Sequence, residues 1–278
     1  MDPVGKALWF VENRFAQELS LDEIAAVSGV SRYHLCRAFG AATGRSVMRY
    51  VRGRRLTEAA RALADGAPDI LAVALDWGYG SHEAFTRAFR DQFGITPELV
   101  RAGRDLATLE LVEPIRMHKT MTTRLEPPRF VDGKTLLIAG LGERFTFESA
   151  AGIPVLWQRF VPHLGHLPGQ IGAVTYGVCC NTDERGGGFD YIAGVAVTSF
   201  ADLPANFARI RIPEQGYAVF THRDHISTIQ STFQAIWSDW LPDCGRQASD
   251  GPSFERYDEA FDPRTGTGAV EIWVPLKS

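Results

Sequence analysis

The stretch SHEAFTRAFR, residues 81–90, repeats a stretch that stands 50 positions earlier, SRYHLCRAFG, residues 31–40. In the first copy, Leu35, Ala38 and Phe39 recur at the i, i+3 and i+4 spacing of the buried face of a helix. The copies agree at the cap (Ser31/Ser81), in the core (Ala38/Ala88 and Phe39/Phe89) and at the end of the helix (Gly44/Gly94), and they also share an arginine, Arg37/Arg87. They differ at most of the other positions, which the buried core of the motif does not constrain.

The repeated unit is larger than one helix. Ser20 and Glu23 form a capping-box pattern that begins a helix before the first copy, and a glycine-containing turn joins the two. A helix from Ile70 and the turn WGYGS precede the second copy in the same way. A long helix over 46–64 separates the units. The pattern predicts an all-α N-terminal domain, residues 1–104, with two helix-turn-helix motifs joined by a long helix.

A helix-turn-helix presents its second helix to the DNA major groove, where all four base pairs can be distinguished. A connecting helix of this length spans about 27 Å. This length suits two groove-binding helices on adjacent groove segments, which lie about 34 Å apart. We therefore predict that the partner is double-stranded DNA, contacted at two adjacent major-groove segments.

The charge distribution supports this prediction for the first half only. The net charge is −4. Residues 1–104 hold 14 Lys and Arg against 12 Asp and Glu, which leaves 15 against 21 for the remainder. The basic excess is concentrated in the long helix and just before it, at Arg45, Arg49, Arg52, Arg54, Arg55 and Arg61. We expect such a local stripe to face phosphate, with Arg52 and Arg55 as the candidates.

The sequence disfavours membrane proteins, secreted proteins and metal-binding proteins. No apolar run is long enough to span a bilayer, and the N-terminal stretch lacks the pattern of a signal peptide. The four cysteines lack CxxC spacing, and no histidine pair is completed to a metal-ligand cluster. We expect a cytoplasmic protein that has no membrane partner, metal or cofactor and is not an enzyme.

The second half changes character. Residues 105–122 lose periodicity and are interpreted as a linker. Short runs of β-branched and aromatic residues follow, interrupted by two helical stretches near 150–164 and 226–241. The pattern occurs twice as strand, helix, strand, strand. It predicts an α+β domain over 123–278, made of two pseudo-repeated units, so the whole chain is multidomain.

Residues 4–104 resemble the DNA-binding domain of the AraC/XylS family of bacterial transcription regulators. The resemblance rests on LSLDEIAAVSGVSRYHLCRAFG and on ILAVALDWGYGSHEAFTRAFRDQFGITPELVR, which carries the F-x-R-x-F helix and the G-x-T-P close. It implies that the base-reading residues are Arg32, Tyr33, Cys36 and Arg37 in the first helix and His82, Glu83, Thr86 and Arg87 in the second. Cys36 departs from the pattern, because a thiol reads bases poorly. The resemblance also allows RNA polymerase as a partner.

Residues 123–278 resemble a GyrI-like effector-binding domain, on the strength of YAVFTHRDHISTIQSTFQAIWSDWLPDCG, SFERYDEAFDP and VEIWVPL. The resemblance implies a small-molecule effector, bulky and apolar or cationic, that meets Glu255 among aromatic residues. It selects Trp273 in the closing strand, beside Glu271. Some relatives of this type hydrolyse small electrophiles, so a hydrolase with Glu255 as general base remains the alternative.

The residues alone support part of this site. Strand alternation along PSFERYDEAF puts Glu255 and Tyr257 on one face, and an acid among aromatics suits an organic cation. Trp157, Tyr176 and Tyr191 are further candidates for the walls of the site. The competing interpretation is that these aromatic residues belong to the core and that Glu255 is an exposed strand residue.

Overall fold

A computed structural model describes residues 2–115, 125–183 and 188–277. The first of these ranges contains seven helices, and both predicted helix-turn-helix motifs are present. The first motif is formed by α2 and α3 and the second by α5 and α6. The helices are α1 (Pro3–Arg14), α2 (Leu21–Ser28), α3 (Arg32–Thr43), α4 (Val47–Ala64), α5 (Ile70–Asp76), α6 (His82–Phe93) and α7 (Pro97–Gly103).

The ends of these helices follow the sequence signals. The Ser20 hydroxyl accepts from the Glu23 amide, and the Glu23 carboxylate accepts from the Ser20 amide, which completes the capping box. The two recognition helices end alike, because Gly44 and Gly94 adopt left-handed φ angles of 69° and 73° that favour glycine. The repeated serines and glycines are therefore helix boundaries.

Part of the segment interpreted as a linker packs on the helical domain. Val112 is buried; its amide donates to the Thr57 hydroxyl, and its carbonyl accepts from Arg54. The Ile115 amide donates to the Tyr50 hydroxyl. The described part of the segment thus continues the helical domain to residue 115, and 116–122 lie outside the described residues.

The second half forms one antiparallel sheet of eight strands in the order β1-β6-β8-β7-β3-β4-β2-β5. Helix α8 (Ile153–Phe160) follows β2. A second helical stretch after β6 runs from α9 (Ile229–Gln234) through a π-helical turn, Ala235–Trp240, to α10 (Leu241–Asp243). The strands are β1 (Arg129–Gly133), β2 (Leu136–Thr146), β3 (Gln170–Cys180), β4 (Gly188–Val197), β5 (Ala208–Ile212), β6 (Gln215–His222), β7 (Ser253–Tyr257) and β8 (Val270–Pro275).

The predicted duplication of the strand, helix, strand, strand pattern is confirmed. Each unit is preceded in the sequence by one further strand, β1 or β5. The first unit contains β2, α8, β3 and β4, and the second contains β6, α9–α10, β7 and β8, with β3 and β7 paired at the centre. The leading strands are exchanged, because β1 pairs with β6 of the second unit and β5 pairs with β2 of the first.

The sheet has two different faces. The covered face carries the helices: Leu156 and Phe160 of α8 lie in one apolar cluster with Tyr191, and Ile236 of the π-helical turn lies in another with Ile272. On the opposite face, an apolar cluster is built only of strand residues among those described, including Tyr176, Tyr217, Phe254 and Trp273. In the described part of the chain, no helix is long and apolar enough to cross a membrane.

Candidate functional site

The recognition helix of the second motif, α6, is open to solvent along its outer side. Glu83, Arg87 and Arg90 are exposed, whereas Phe85 and Phe89 are buried below them. One shallow depression is lined by residues of this outer side and of the end of the helix, namely His82, Glu83, Thr86, Arg87, Arg90, Asp91 and Gly94. The sequence-predicted residues of this helix therefore share one accessible surface.

Thr86 is the exception within that surface. Its hydroxyl oxygen is buried and has no hydrogen-bond partner among the described residues. The hydroxyl of Thr86 is therefore not presented on that surface.

The recognition helix of the first motif, α3, has the opposite environment. Tyr33, His34, Cys36 and Arg37 are buried, and only Ser31 and Arg32 at its start are exposed. The face that the sequence predicts to be outward packs against the effector domain. This corrects the expectation that Tyr33, Cys36 and Arg37 are accessible in the protein as it stands.

Arg37 is the centre of that contact. One guanidinium nitrogen donates to the Cys179 sulfur at 2.8 Å, and the other donates to the Ser253 hydroxyl at 3.3 Å. The guanidinium also lies 5.9 Å from the centre of the Phe189 ring and 5.6 Å from that of Trp237. All of these partners lie more than 140 positions away in the sequence, so helical periodicity within 31–40 carried no signal of them.

On either side of Arg37, α3 fits the sheet domain closely. The His34 Nε2 lies 2.6 Å from the Trp237 carbonyl oxygen, and the Tyr33 ring meets the Trp237 ring edge-on. Gly40 touches the ring of Phe147, because a Cβ at Gly40 would stand 2.4 Å from ring carbons. The absence of a side chain at Gly40 permits this approach.

The arginines in and just before α4 fall into two groups, those that are exposed and those that bond to other parts of the helical domain. Arg52 is exposed, as expected for a phosphate contact. Arg55 instead donates to the carbonyls of Phe15 and Gln17, and its desolvation lowers the pKa of the guanidinium. Arg54 is buried and bonded to Glu12. The structure thus favours a structural role for Arg55, which the sequence assigned to phosphate.

The candidate effector site lies on the covered face, under α8. The Glu255 carboxylate accepts from the Tyr191 hydroxyl at 2.5 Å and from the Tyr257 hydroxyl at 2.8 Å. The indole of Trp157 donates to the Tyr191 hydroxyl at 3.1 Å and lies 5.2 Å from the Tyr257 ring. Four of the seven predicted ligand residues are therefore in direct contact.

Burial shifts the pKa values of the carboxyl and hydroxyl groups in the site. Burial raises the pKa of Glu255 above its ordinary value, against the opposing effects of hydrogen bonds from Tyr191 and Tyr257 and the charge of Arg37. Burial also raises the pKa of both tyrosines, which keeps them as hydrogen-bond donors. Glu255 and Trp157 nevertheless retain accessible surface, whereas both tyrosines are buried. A desolvated carboxylate that keeps some accessible surface is a suitable partner for a large organic cation.

The other three predicted ligand residues do not belong to this site. The register pairs Glu255 with Ile272 on the covered face, whereas Trp273 pairs with Phe254 and Glu271 pairs with Arg256 on the opposite face. Tyr176, opposite Arg256, lies there too. Glu271 accepts from Arg256 at 3.2 Å and from the Trp273 indole at 3.1 Å. The seven residues therefore do not form one cluster, because Tyr176, Glu271 and Trp273 lie on the opposite face from Glu255, and the ligand-binding role of each residue stays a prediction.

One residue of the site was missed by sequence reasoning. Gly177 is paired with Glu255, and a Cβ there would stand 2.0 Å from the Tyr191 hydroxyl and 2.5 Å from the Glu255 carboxylate. Glycine at 177 is thus what lets the tyrosine and the glutamate meet. Only the register of β3 against β7 reveals this. Among the described residues, no three His, Cys, Asp or Glu side chains are grouped to hold a metal ion.

A helical domain with two helix-turn-helix motifs and a sheet domain with a carboxylate among aromatic residues form the arrangement expected of a DNA-binding transcription regulator with an effector domain. Comparison with known families agrees, since the GyrI-like small molecule binding domain matches residues 126–277 and a Helix-turn-helix domain matches 24–103. The chain belongs to the AraC-type regulators that carry a C-terminal GyrI-like domain.

The chain is similar to several individual proteins. The chain is 27% identical to the transcriptional regulator Rob of Salmonella typhimurium over the full length of both proteins. It is 35% identical to the multiple antibiotic resistance protein MarA of the same organism over 98 residues, which cover 35% of this chain and 77% of MarA. Among solved structures, that of SAV2435 bound to tetraphenylphosphonium is 20% identical, with a TM-score of 0.47, and the match covers 55% of this chain and 95% of that one. The hydrolase alternative receives no support from these relatives.

Proposed function

We propose that this regulator reads a DNA site of two short half-elements through α3 and α6, and that a bulky aromatic cation bound at Glu255 is its effector. The observation that carries the DNA part is the exposed outer side of α6, on which hydrogen-bonding side chains are held above a buried aromatic core.

The geometry of α6 supports a groove-reading role. His82, Glu83, Arg87 and Arg90 are spaced so that they follow one side of the helix. Arg87 is exposed and suits bidentate pairing with guanine, and Glu83 can accept from a cytosine amino group. His82 lies 3.3 Å from Glu98 of α7, which restricts its ring beside the same surface.

The test of this reading begins with selection of binding sites from a random duplex library by the full-length protein. Arg87→Ala should then weaken binding to the selected duplex by about 1–3 kcal/mol, roughly 5- to 150-fold, and relax the preference at one base pair. Arg87 is exposed, so the free energy of unfolding should change by less than about 0.5 kcal/mol.

Arg211→Ala is the matched control, because Arg211 is an exposed arginine on edge strand β5 of the effector domain. It removes the same charge away from the DNA-binding helices and should leave the affinity nearly unchanged. If Arg87→Ala weakens random and selected duplexes equally, α6 makes backbone contacts only and is not a reader.

The effector part rests on the chemistry around Glu255. The site combines one carboxylate with the aromatic rings of Trp157, Tyr191 and Tyr257. Aromatic faces and a desolvated carboxylate attract a delocalised organic cation, which gives up little hydration on entry. A small, strongly hydrated ion gains less from such walls, so we assign the ligand class as aromatic cations.

A further inference from the structure

The two recognition helices are unequally available in this structure. The outer side of α6 is exposed, whereas the corresponding side of α3 lies on the covered face of the effector sheet. A helix whose reading side is packed against protein cannot enter a groove at the same time. The effector domain therefore masks one of the two readers.

Arg37 connects the masked helix to the effector site. Its guanidinium contacts Cys179 on β3 and Ser253 on β7, two residues that pair with each other. Glu255 follows Ser253 by two positions, on the same face and about 7 Å further along the strand. Arg37 and Glu255 are thus neighbouring opposite charges on one buried surface.

We propose that docking of α3 on the effector sheet is an autoinhibited state, and that a cation bound at Glu255 releases α3 because it replaces Arg37 as the counter-charge. The proposal rests on the proposed function, in which α3 and α6 read DNA and Glu255 binds an aromatic cation. It adds the physical link between the two sites, which is the Arg37 side chain itself.

The energetic argument is one of competing charges. Burial disfavours the charge of Arg37 in the docked state, and the negative charge of Glu255 is one of the influences that offset this. A bound cation neutralises Glu255 and brings a like charge near Arg37, which weakens docking without touching any DNA-contacting surface. A ligand that binds the released state better shifts the population towards it, and DNA bound to α3 must raise the affinity for the cation by the same factor.

Gly40→Ala tests the masking in the full-length protein. The added methyl would stand 2.4 Å from the Phe147 ring, so the docked state must distort, whereas a released helix gains helix propensity. We expect affinity for the selected duplex to rise roughly five- to fiftyfold. Gly103→Ala is the control, because its methyl would meet no atom within 4 Å at the end of α7, and its affinity should stay unchanged.

A second measurement covers the case in which the Phe147 ring moves aside. Cys179 is buried, its sulfur accepts from Arg37, and it lies on the effector side of the interface, where DNA cannot shield it. In a Cys180→Ser background, N-ethylmaleimide should modify Cys179 slowly in the free protein and faster when the selected duplex is bound. Protection of Cys179 that persists in the saturated DNA complex would overturn the proposal.

The link to the effector is tested with tetraphenylphosphonium, a bulky aromatic cation whose non-planar shape keeps it from intercalating into the duplex. It should raise DNA affinity of the wild type, have little effect on Gly40→Ala, and have none on Glu255→Gln. One outcome separates this inference from the proposed function. If selective binding needs Arg87, but neither Gly40→Ala nor the cation changes the affinity for DNA, α3 is a structural helix. The inference is then wrong and the proposed function still stands. If Arg87 is unnecessary as well, the proposed function fails with it.

Discussion

Replacing Glu255 by glutamine isolates the charge of the effector site. Glutamine keeps the size of the side chain and can still accept from Tyr191 and Tyr257, so the walls should remain in place. Two unit charges 4 Å apart interact by about 4 kcal/mol at an effective dielectric constant of about 20. Because Glu255 retains accessible surface and the cation must lose water, we expect a loss of about 2–4 kcal/mol, roughly 30- to 700-fold in affinity.

The assay compares two ligands of nearly equal shape, 10-methylacridinium and neutral acridine, at about pH 8, where carboxyl groups of ordinary pKa are ionised. Binding is followed by quenching of tryptophan fluorescence, since Trp157 donates to the hydroxyl of Tyr191 inside the site. Glu255→Gln should reduce the affinity for the cation as calculated and change that for acridine by less than about threefold.

Glu271→Gln provides the matched control, because it makes the same chemical change on the opposite face of the sheet, next to Trp273. Its effect on the cation should be small. The reasoning is refuted if Glu255→Gln leaves cation affinity within about twofold of the wild type, or if Glu271→Gln reduces it as much. In the second case the ligand binds the face that we exclude.

Two further predictions concern pH and the core of the helical domain. Because burial raises the pKa of Glu255, protonation removes the charge of this carboxylate at a higher pH than usual. The affinity for 10-methylacridinium should therefore fall on acidification, with a midpoint above the 4.5 of an ordinary glutamate. A midpoint at or below 4.5 would contradict the assigned burial. Arg54→Leu leaves the carboxylate of Glu12 without its ionic partner, although the Tyr50 hydroxyl still donates to it, so the free energy of unfolding in urea should drop by about 1–3 kcal/mol. An unchanged midpoint would show that Arg54 is not structural.

Local patterns predicted much of the fold. The duplicated helix-turn-helix follows from spacing within 20–44 and 70–94, because caps, turns and i, i+3, i+4 contacts all lie within one motif. Alternation along β7 likewise predicted that Glu255 and Tyr257 share a face, and their hydrogen bond confirms it.

The remaining features depend on contacts that no local pattern encodes. Aromatic residues occur on both faces of this sheet, so aromaticity could not tell Trp157 from Trp273. The register of β7 against β8 places Trp273 on the opposite face, and the packing of α8 places Trp157 beside Tyr191. The buried position of Arg37 depends on Cys179 and Ser253, which belong to another domain. An exposed-looking arginine on a helix is ambiguous until the surface opposite it is known.

The exchanged edge strands have a consequence for how the effector domain holds together. Strand β1 completes the half of the sheet that contains β6, and β5 completes the half that contains β2, so each half lacks an edge without the other. Geometrically the domain is a swapped dimer of two small modules, fused into one chain. A cut between the modules would not yield two stable pieces, because each would expose an unpaired strand edge. The two halves should instead fold and unfold together, as a single cooperative unit.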